Sequence, residues 1–417
     1  MKQYKIQAAN HIDTTITLPP SKSISNRALI IHALSNGECC PKNLSDCDDT
    51  DVIIRALRNM PYEIDIKAAG TAMRFMTAYL AVTEGEHILT GTERMKHRPI
   101  GVLVNALRYL GADIEYVGEE GYPPLRIRGK ALEGRTLEVP GDISSQYISA
   151  LLMIGPKLLH GLELKMTGNI ISRPYIDLTL WTMREFGAKV DWTAADTVTV
   201  SPGNYLQREY LIENDWSAAS YWYEIIALSR DEDATVRLDG LMDGSKQGDS
   251  VVRYIFSMLG VKTVFKTRMQ NTPTTVTLKK NGRVVPRLDY DFINSPDLAQ
   301  TFVATCVALD VPFHFKGLAS LRIKETNRIE ALCQEMRKVG VVLRVENESE
   351  LIWDGERCEA SLLPIDTYED HRMALSFAPM ALRMEGLRIN EPMVVTKSYP
   401  AYWDDLRKAG FTIDEGE

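Results

Sequence analysis

Phe186-Gly187-Ala188-Lys189-Val190-Asp191-Trp192 reads as a helix that ends on a glycine and turns at once into a strand. Glycine accepts the left-handed backbone that closes many helices, and the residues after it alternate as a half-buried strand should. The same junction recurs at Leu110-Gly111-Ala112, Leu259-Gly260-Val261, Val339-Gly340-Val341 and Ala409-Gly410-Phe411, and the five glycines are 76, 73, 80 and 70 residues apart. A second helix family interleaves with the first, with starts near Ser23, Thr71, Ser144, Ser217, Asp297 and Asp370. The last of these carries a helical stripe of Met373, Ala374, Phe377, Met380 and Ala381. The spacing predicts an α/β chain of about six repeated units of roughly 70 residues, most simply three to each of two domains. One unit is short. The starts at Ser23 and Thr71 lie close together, and Asn59-Met60-Pro61 stands where the glycine turn belongs, so a strand pair is expected to be missing between Asp51 and Gly70. No linker marks the domain division, which spacing alone places near residues 205 to 216.

At 417 residues the chain exceeds the usual single domain. Its 45% hydrophobic and 25% charged content is ordinary for a globular protein with a real core. A net charge of −8 argues against general nucleic-acid binding, although local cation clusters can still hold small anions. The six cysteines show no C-x-x-C spacing. Adjacent Cys39 and Cys40, with Cys47 and His32 near in sequence, converge poorly on one tetrahedral ion, so reduced thiols are expected in place of a metal site. Met1 to Asn10 has no apolar signal core, and no apolar run reaches membrane-spanning length. A cytoplasmic, soluble monomer is expected, without cofactor, metal, membrane or nucleic-acid partner.

The chemistry lies in where the cations sit. Helix N-termini carry partial positive charge and ordinarily favour Asp or Glu. Here Lys22 and Arg27 open the first helix, and Arg74 follows Ala69-Gly70-Thr71. Arg98-Pro99 and Arg173-Pro174 are read as helix starts with proline at the first position. Lys324 and Arg328, four apart, are read as one helix face, and Arg372 follows Asp370-His371. A cation beside a helix N-terminus is disfavoured unless an anion neutralises both, and such a terminus with arginine is a ready phosphate or carboxylate site. The repetition points to small polyanionic ligands.

Other chemistries find no template. No G-x-x-x-x-G precedes Ser21-Lys22-Ser23, and no G-x-G-x-x-G, G-x-S-x-G or H-E-x-x-H occurs where it would count. Two carboxylates stand beside the cations. Glu325 reads either as a working acid or as an i,i+3 partner of Arg328, and Asp297 either as a working group or as a helix N-cap.

Long strings resemble the EPSP synthase (3-phosphoshikimate 1-carboxyvinyltransferase) family. They are Leu18-Pro19-Pro20-Ser21-Lys22-Ser23-Ile24-Ser25-Asn26-Arg27-Ala28, Ala69-Gly70-Thr71-Ala72-Met73-Arg74, Arg94-Met95-Lys96-His97-Arg98-Pro99-Ile100, Ser144-Ser145-Gln146-Tyr147, Ser172-Arg173-Pro174-Tyr175-Ile176-Asp177, Arg322-Ile323-Lys324-Glu325-Thr326-Asn327-Arg328, Asp370-His371-Arg372-Met373-Ala374 and Thr396-Lys397-Ser398-Tyr399-Pro400. The resemblance covers nearly the whole chain. It implies two inside-out α/β domains, each of three βαβαββ-type units around buried helices, with the unit before Gly70 shortened. Residues 20–212 would form the first enolpyruvyl-transferase domain, and residues 1–19 with 213–417 the second.

By the same resemblance, shikimate 3-phosphate would be held by Lys22, Ser23, Arg27, Ser144, Ser145, Gln146, Ser172, Tyr175, Asp297 and Lys324. Phosphoenolpyruvate would be held by Lys22, Gly70, Arg98, Gln146, Arg328, Arg372 and Lys397. Asp297, Glu325 and Lys22 would be catalytic in enolpyruvyl transfer, with the division of proton transfers between the two carboxylates left open. Ala68 stands where the family often has Asn, Phe75 where many members have Pro, and Ser320 where some have Asn, while Asn214-Asp215-Trp216 modifies a usual Gly-Asp. Two rivals stay open on sequence: the sister enzyme acting on UDP-N-acetylglucosamine, and an inactive anion-binding regulatory homologue. The first usually carries a cysteine before its Arg-Pro motif, which Arg94 to Arg98 lacks.

Overall fold

A computed structural model describes residues 2–35, 37, 40–267, 269 and 272–416. The chain divides into two compact units, residues 20–212 and residues 1–19 with 213–417.

The repeat predicted from the glycines is a sheet motif. In the unit of residues 20–212, strands Glu63–Asp65, Gly85–Thr90, Asp113–Tyr116 and Leu125–Gly129 form one four-stranded sheet, and Thr136–Pro140, Leu162–Thr167, Val190–Ala194 and Thr197–Val200 form another. In each the first two strands are parallel, joined by a helical crossover, and the last two form an antiparallel hairpin. The spatial order is first, second, fourth, third. The other unit repeats this with Asp13–Thr17, Thr235–Met242, Leu259–Phe265 and Pro273–Val284, then with Leu288–Asp291, Phe313–Lys316, Arg344–Glu346 and Glu350–Trp353. Its third sheet holds Arg388–Asn390 and Thr412–Gly416 and is completed by the N-terminal strand Gln3–Gln7, which pairs with both. That pairing is why the first residues belong to the C-terminal unit.

Among the described residues five units are built out and one is reduced. Helices Lys22–Leu34 and Asp48–Asn59 are present in the short unit, but a single parallel bridge, Lys42 to Leu211, stands where its sheet would be. Met60 ends the second of these helices in the left-handed region (φ 38°), its N–H donating to Ala56 O. Pro61 follows, and the next unit's strand starts at Glu63. Among the described residues the short unit has no strand pair of its own, and the one strand between Asp51 and Gly70, Glu63–Asp65, belongs to the next unit's sheet.

All five repeat glycines have positive φ, from 81° to 101°. Four of them close helices in the same way. The N–H groups of Ala112, Ala188, Val341 and Phe411 reach back to the carbonyls of Leu107, Met183, Met336 and Leu406, and the preceding glycine donates to Arg108, Arg184, Arg337 or Arg407. Some boundaries differ from the sequence expectation. The helix after Arg98-Pro99 starts at Gly101, and the strand after Gly340 starts at Arg344 rather than Val341.

The core is helical. Gly70–Val82 and Ser145–Ile154 in one unit, and Trp216–Leu228, Ala299–Ala308 and His371–Phe377 in the other, bury nearly every residue, so they present no solvent face. Helices of the glycine series, such as Arg328–Lys338, bury one stripe only. Trp216–Leu228, Ala299–Ala308 and His371–Phe377 run side by side in one direction. Ser220, Thr301 and Ser376 link hydroxyls at 3.3 and 3.4 Å, and one turn before Thr301 and Ser376 lie Asp297 and Arg372, which the Tyr221 hydroxyl joins.

Gly111 (φ 101°) has open space where a Cβ would go, so backbone strain alone decides the effect of adding one. Gly111→Ala is expected to lower the unfolding free energy by about 1–2 kcal/mol, measured by urea titration. Gly118→Ala, where φ is not positive and the nearest atom is 3.9 Å away, is the control and should not lower it.

Candidate active site

In the unit of residues 20–212, cations gather over helix starts that no acid caps. Gly70 is the first residue of its helix, and Ala69 before it offers no side-chain cap. A Cβ on Gly70 would come within 2.6 Å of Nη1 of both Arg74 and Arg98, so two guanidinium groups flank this terminus closely. Arg74 donates to the Gly70 carbonyl at 2.8 Å and lies over the Tyr147 ring, whose hydroxyl donates to Pro99 O. The neighbouring helix starts beside it: Gln146 Nε2 donates to Thr71 Oγ1 at 2.9 Å, and Ser144 caps the Gln146 N–H. Uncapped amides with two guanidiniums make an anion cradle.

Arg27 is buried, and its bonds go to neutral groups: Thr179 Oγ1 at 2.7 Å, Ser149 Oγ at 3.1 Å and the carbonyls of Ser23 and Tyr175. Burial pulls its guanidinium down to about 10, still charged at neutral pH. It lies 5.4 Å from the Phe75 ring centroid, so the phenylalanine at that departure position packs beneath a site cation. Lys22 is paired with Asp49 at 2.9 Å. Ser172 sits in the left-handed region at the start of the Arg173–Glu185 helix, next to the turn that presents the Tyr175 carbonyl to Arg27. Arg173 leaves the expected set, because it stacks on Trp192 at 3.8 Å and donates to Ala195 O.

The other unit has the opposite balance. Arg328 is buried and holds three carboxylates: Asp297 Oδ1 at 2.9 Å, Glu325 Oε2 at 2.8 Å and both oxygens of Asp370 at 2.7 and 3.2 Å. Lys324 reaches Asp297 at 3.2 Å, and Arg372 lies 3.5 Å from its other oxygen. Burial would raise the Asp297 carboxyl, but Lys324, Arg372 and Arg328 outweigh it and hold the group far below the usual carboxylate range. Asp297 is therefore an ion-pair partner of three cations and not the N-cap that its position also allowed. Glu325 does pair with Arg328 at i,i+3. Lys324 lies outside the helix, which begins at Arg328, so the two cations meet at Asp297 and not through a shared helix face. Lys397 Nζ donates to the Glu369 carbonyl, next to Asp370 and Arg372.

Several participants carry no sequence signal of their own. Asp370 both caps the Arg372 N–H and clamps Arg328, and the D-x-R spacing at a helix start is the one clue to it. Tyr221 accepts from Arg372 at 3.3 Å. Asp249, hydrogen-bonded to Ser217, is pushed up to about 6, chiefly by burial and against the pull of Arg372.

Cys39 lies outside the described residues. Cys40 Sγ is 3.7 Å from His32 Nε2, while Cys47 is buried against Thr50, and among the described residues no group of three His, Cys, Asp or Glu could hold a metal. No described helix is long and apolar enough to cross a membrane.

Comparison with known proteins agrees with the repeat and the strings. A model of the EPSP synthase (3-phosphoshikimate 1-carboxyvinyltransferase) family matches residues 6–65 and 60–406. The 3-phosphoshikimate 1-carboxyvinyltransferase of Bacteroides fragilis is 58% identical over all of both chains, and that of Aliivibrio fischeri is 35% identical over 98% of this chain and 99% of its own. The solved EPSP synthase of Acinetobacter baumannii, 21% identical, superposes over the full length of both chains with a TM-score of 0.79, which speaks for the fold. Full-length identity at that level, on two α/β units of this topology, makes the chain a member of the EPSP synthase family.

Proposed function

We propose that this chain transfers the enolpyruvyl group of phosphoenolpyruvate to the 5-hydroxyl of shikimate 3-phosphate and releases phosphate, a step of chorismate and aromatic amino acid biosynthesis. It acts as a cytoplasmic monomer, with residues 20–212 and residues 1–19 plus 213–417 as its two enolpyruvyl-transferase domains. The observation that carries the chemistry is the single buried guanidinium of Arg328 joining Asp297 to Glu325. The reaction needs a proton taken from the hydroxyl and one given to the enol C3, and two carboxylates on one cation supply both.

Asp297, held ionised by Lys324, Arg372 and Arg328, accepts the hydroxyl proton and does not serve as the acid. The carboxylate and phosphate of phosphoenolpyruvate draw Arg328 and Arg372 toward themselves, which loosens their hold on Asp297 and makes it a stronger base when substrate is present. Glu325 takes up a proton from solvent once substrate draws Arg328 away, and then serves as the acid toward C3. The 5-oxygen then bonds to C2, and the resulting ketal expels phosphate, which takes the proton held by Asp297, as C3 returns a proton to Glu325. Lys22, Arg98, Arg372 and Lys397 stabilise the departing charge, and Gly70 lets the helix amides approach a phosphate. Arg27, Ser23, Ser144, Ser145, Gln146, Ser172, Tyr175 and Lys324 hold shikimate 3-phosphate. Arg27 is suited to this because it is charged and buried and its hydrogen bonds go to hydroxyls and carbonyls.

Phosphate release from phosphoenolpyruvate, measured with each acceptor in turn, tests the reading. Release is expected with shikimate 3-phosphate and not with UDP-N-acetylglucosamine, and the reverse would overturn it. Glu325→Ala should keep both substrates bound while turnover falls about 10²–10⁴-fold. Unchanged turnover would remove Glu325 from the chemistry.

A further inference from the structure

The segment that leads into Asp370 and Arg372 has an unusual backbone. Tyr368 and Glu369 both have positive φ, 53° and 55°, although neither is glycine. Two consecutive non-glycine residues in that region are strained and persist only where the surroundings over-determine them. The surroundings here are specific. Glu335, fully buried on the Arg328–Lys338 helix, accepts from Tyr368 Oη at 2.6 Å with one oxygen and from the Asp366 N–H at 3.0 Å with the other. Tyr368 Oη also lies 2.8 Å from Gln334 Oε1. Lys338 Nζ, 2.7 Å from both Glu335 and Asp366, adds charge balance and also donates to Pro364 O. Asp370 N–H closes the turn onto Thr367 O.

One helix therefore grips the segment of residues 366–370 at two places about two turns apart. Arg328, at the helix start, holds Asp370, and Glu335 holds Asp366 and Tyr368. Between these grips the left-handed pair aims the Glu369 carbonyl at Lys397 Nζ, 2.7 Å away, and sets Asp370 at the head of the helix that carries Arg372. We propose that Tyr368 and Glu335 are positioning residues for phosphoenolpyruvate, forming a clamp that holds the strained turn so that Arg372 and Lys397 face the enol substrate in register with Arg328. The inference rests on the reading that these three cations hold phosphoenolpyruvate. It also explains a buried glutamate that takes no part in the chemistry. A fully buried carboxylate is costly unless its oxygens are satisfied, and these are taken up by the segment that carries the cations.

Tyr368→Phe removes the hydroxyl and keeps the ring, while Glu335→Gln keeps an acceptor for Tyr368 and serves as the conservative rescue. Steady-state kinetics with each substrate varied, together with thermal unfolding of each variant, test the clamp. Tyr368→Phe is expected to raise KM for phosphoenolpyruvate about tenfold or more, to leave KM for shikimate 3-phosphate within about twofold, and to unfold cooperatively. Glu335→Gln should lie between it and the wild type. KM for phosphoenolpyruvate unchanged in Tyr368→Phe would overturn the proposal. So would an equal rise in both KM values, or a fall in kcat alone, since each marks a merely structural role. An inactive wild-type enzyme would instead mark failure of the underlying functional reading.

Discussion

Arg328 is the interaction on which the C-terminal unit's chemistry depends. A guanidinium cut off from water must be neutralised, and this one is met by Asp297, Glu325 and Asp370 through four contacts of 3.2 Å or less. Removing one partner of a buried ion pair typically costs about 3–5 kcal/mol, because the other charge is left without compensation. The fork geometry of arginine fixes where each carboxylate can lie. One side chain thus sets the spacing of Asp297 and Glu325 and anchors the N-cap of the helix bearing Arg372.

The two units solve complementary electrostatic problems with the same scaffold. Parallel buried helices bring their positive ends together, which raises the local potential before any side chain is counted. In the unit of residues 20–212 that potential is reinforced: Arg74 and Arg98 flank Gly70, and Arg27 is met by hydroxyls and carbonyls. In the other unit it is balanced by carboxylates, and Asp297 is held ionised as a result. Such a division suits a reaction between two anions that also needs proton transfer. In one unit cations gather at helix starts, and in the other carboxylates balance them.

Much of this was legible in the chain because its causes are local. A glycine needed at positive φ reads directly from Gly111, Gly187, Gly260, Gly340 and Gly410, and the missing hairpin shows in the Met60-Pro61 junction. Cations at helix starts were visible for the same reason, although Arg173 shows the limit. Whether such a cation faces a ligand or a nearby Trp192 is a matter of side-chain packing that helix position does not encode. Partners far apart in sequence were not legible. Asp49 with Lys22, Asp370 with Arg328 and Glu335 with Tyr368 are 27, 42 and 33 residues apart, and only the fold brings them together. Lys324 and Arg328 share no helix face, because the helix starts at Arg328, yet both reach Asp297.

Enolpyruvyl transfer by addition and elimination requires that C3 gain a proton before phosphate leaves, the step proposed for Glu325. Turnover in D₂O with mass analysis of the product tests it most directly. Addition followed by elimination makes C3 a transient methyl group carrying solvent deuterium, part of which stays when that methyl loses a proton. Deuterium in the vinyl methylene of the product, dependent on shikimate 3-phosphate, is the predicted result. A product free of deuterium would contradict the account, because the enol would then have been transferred without gaining a proton at C3.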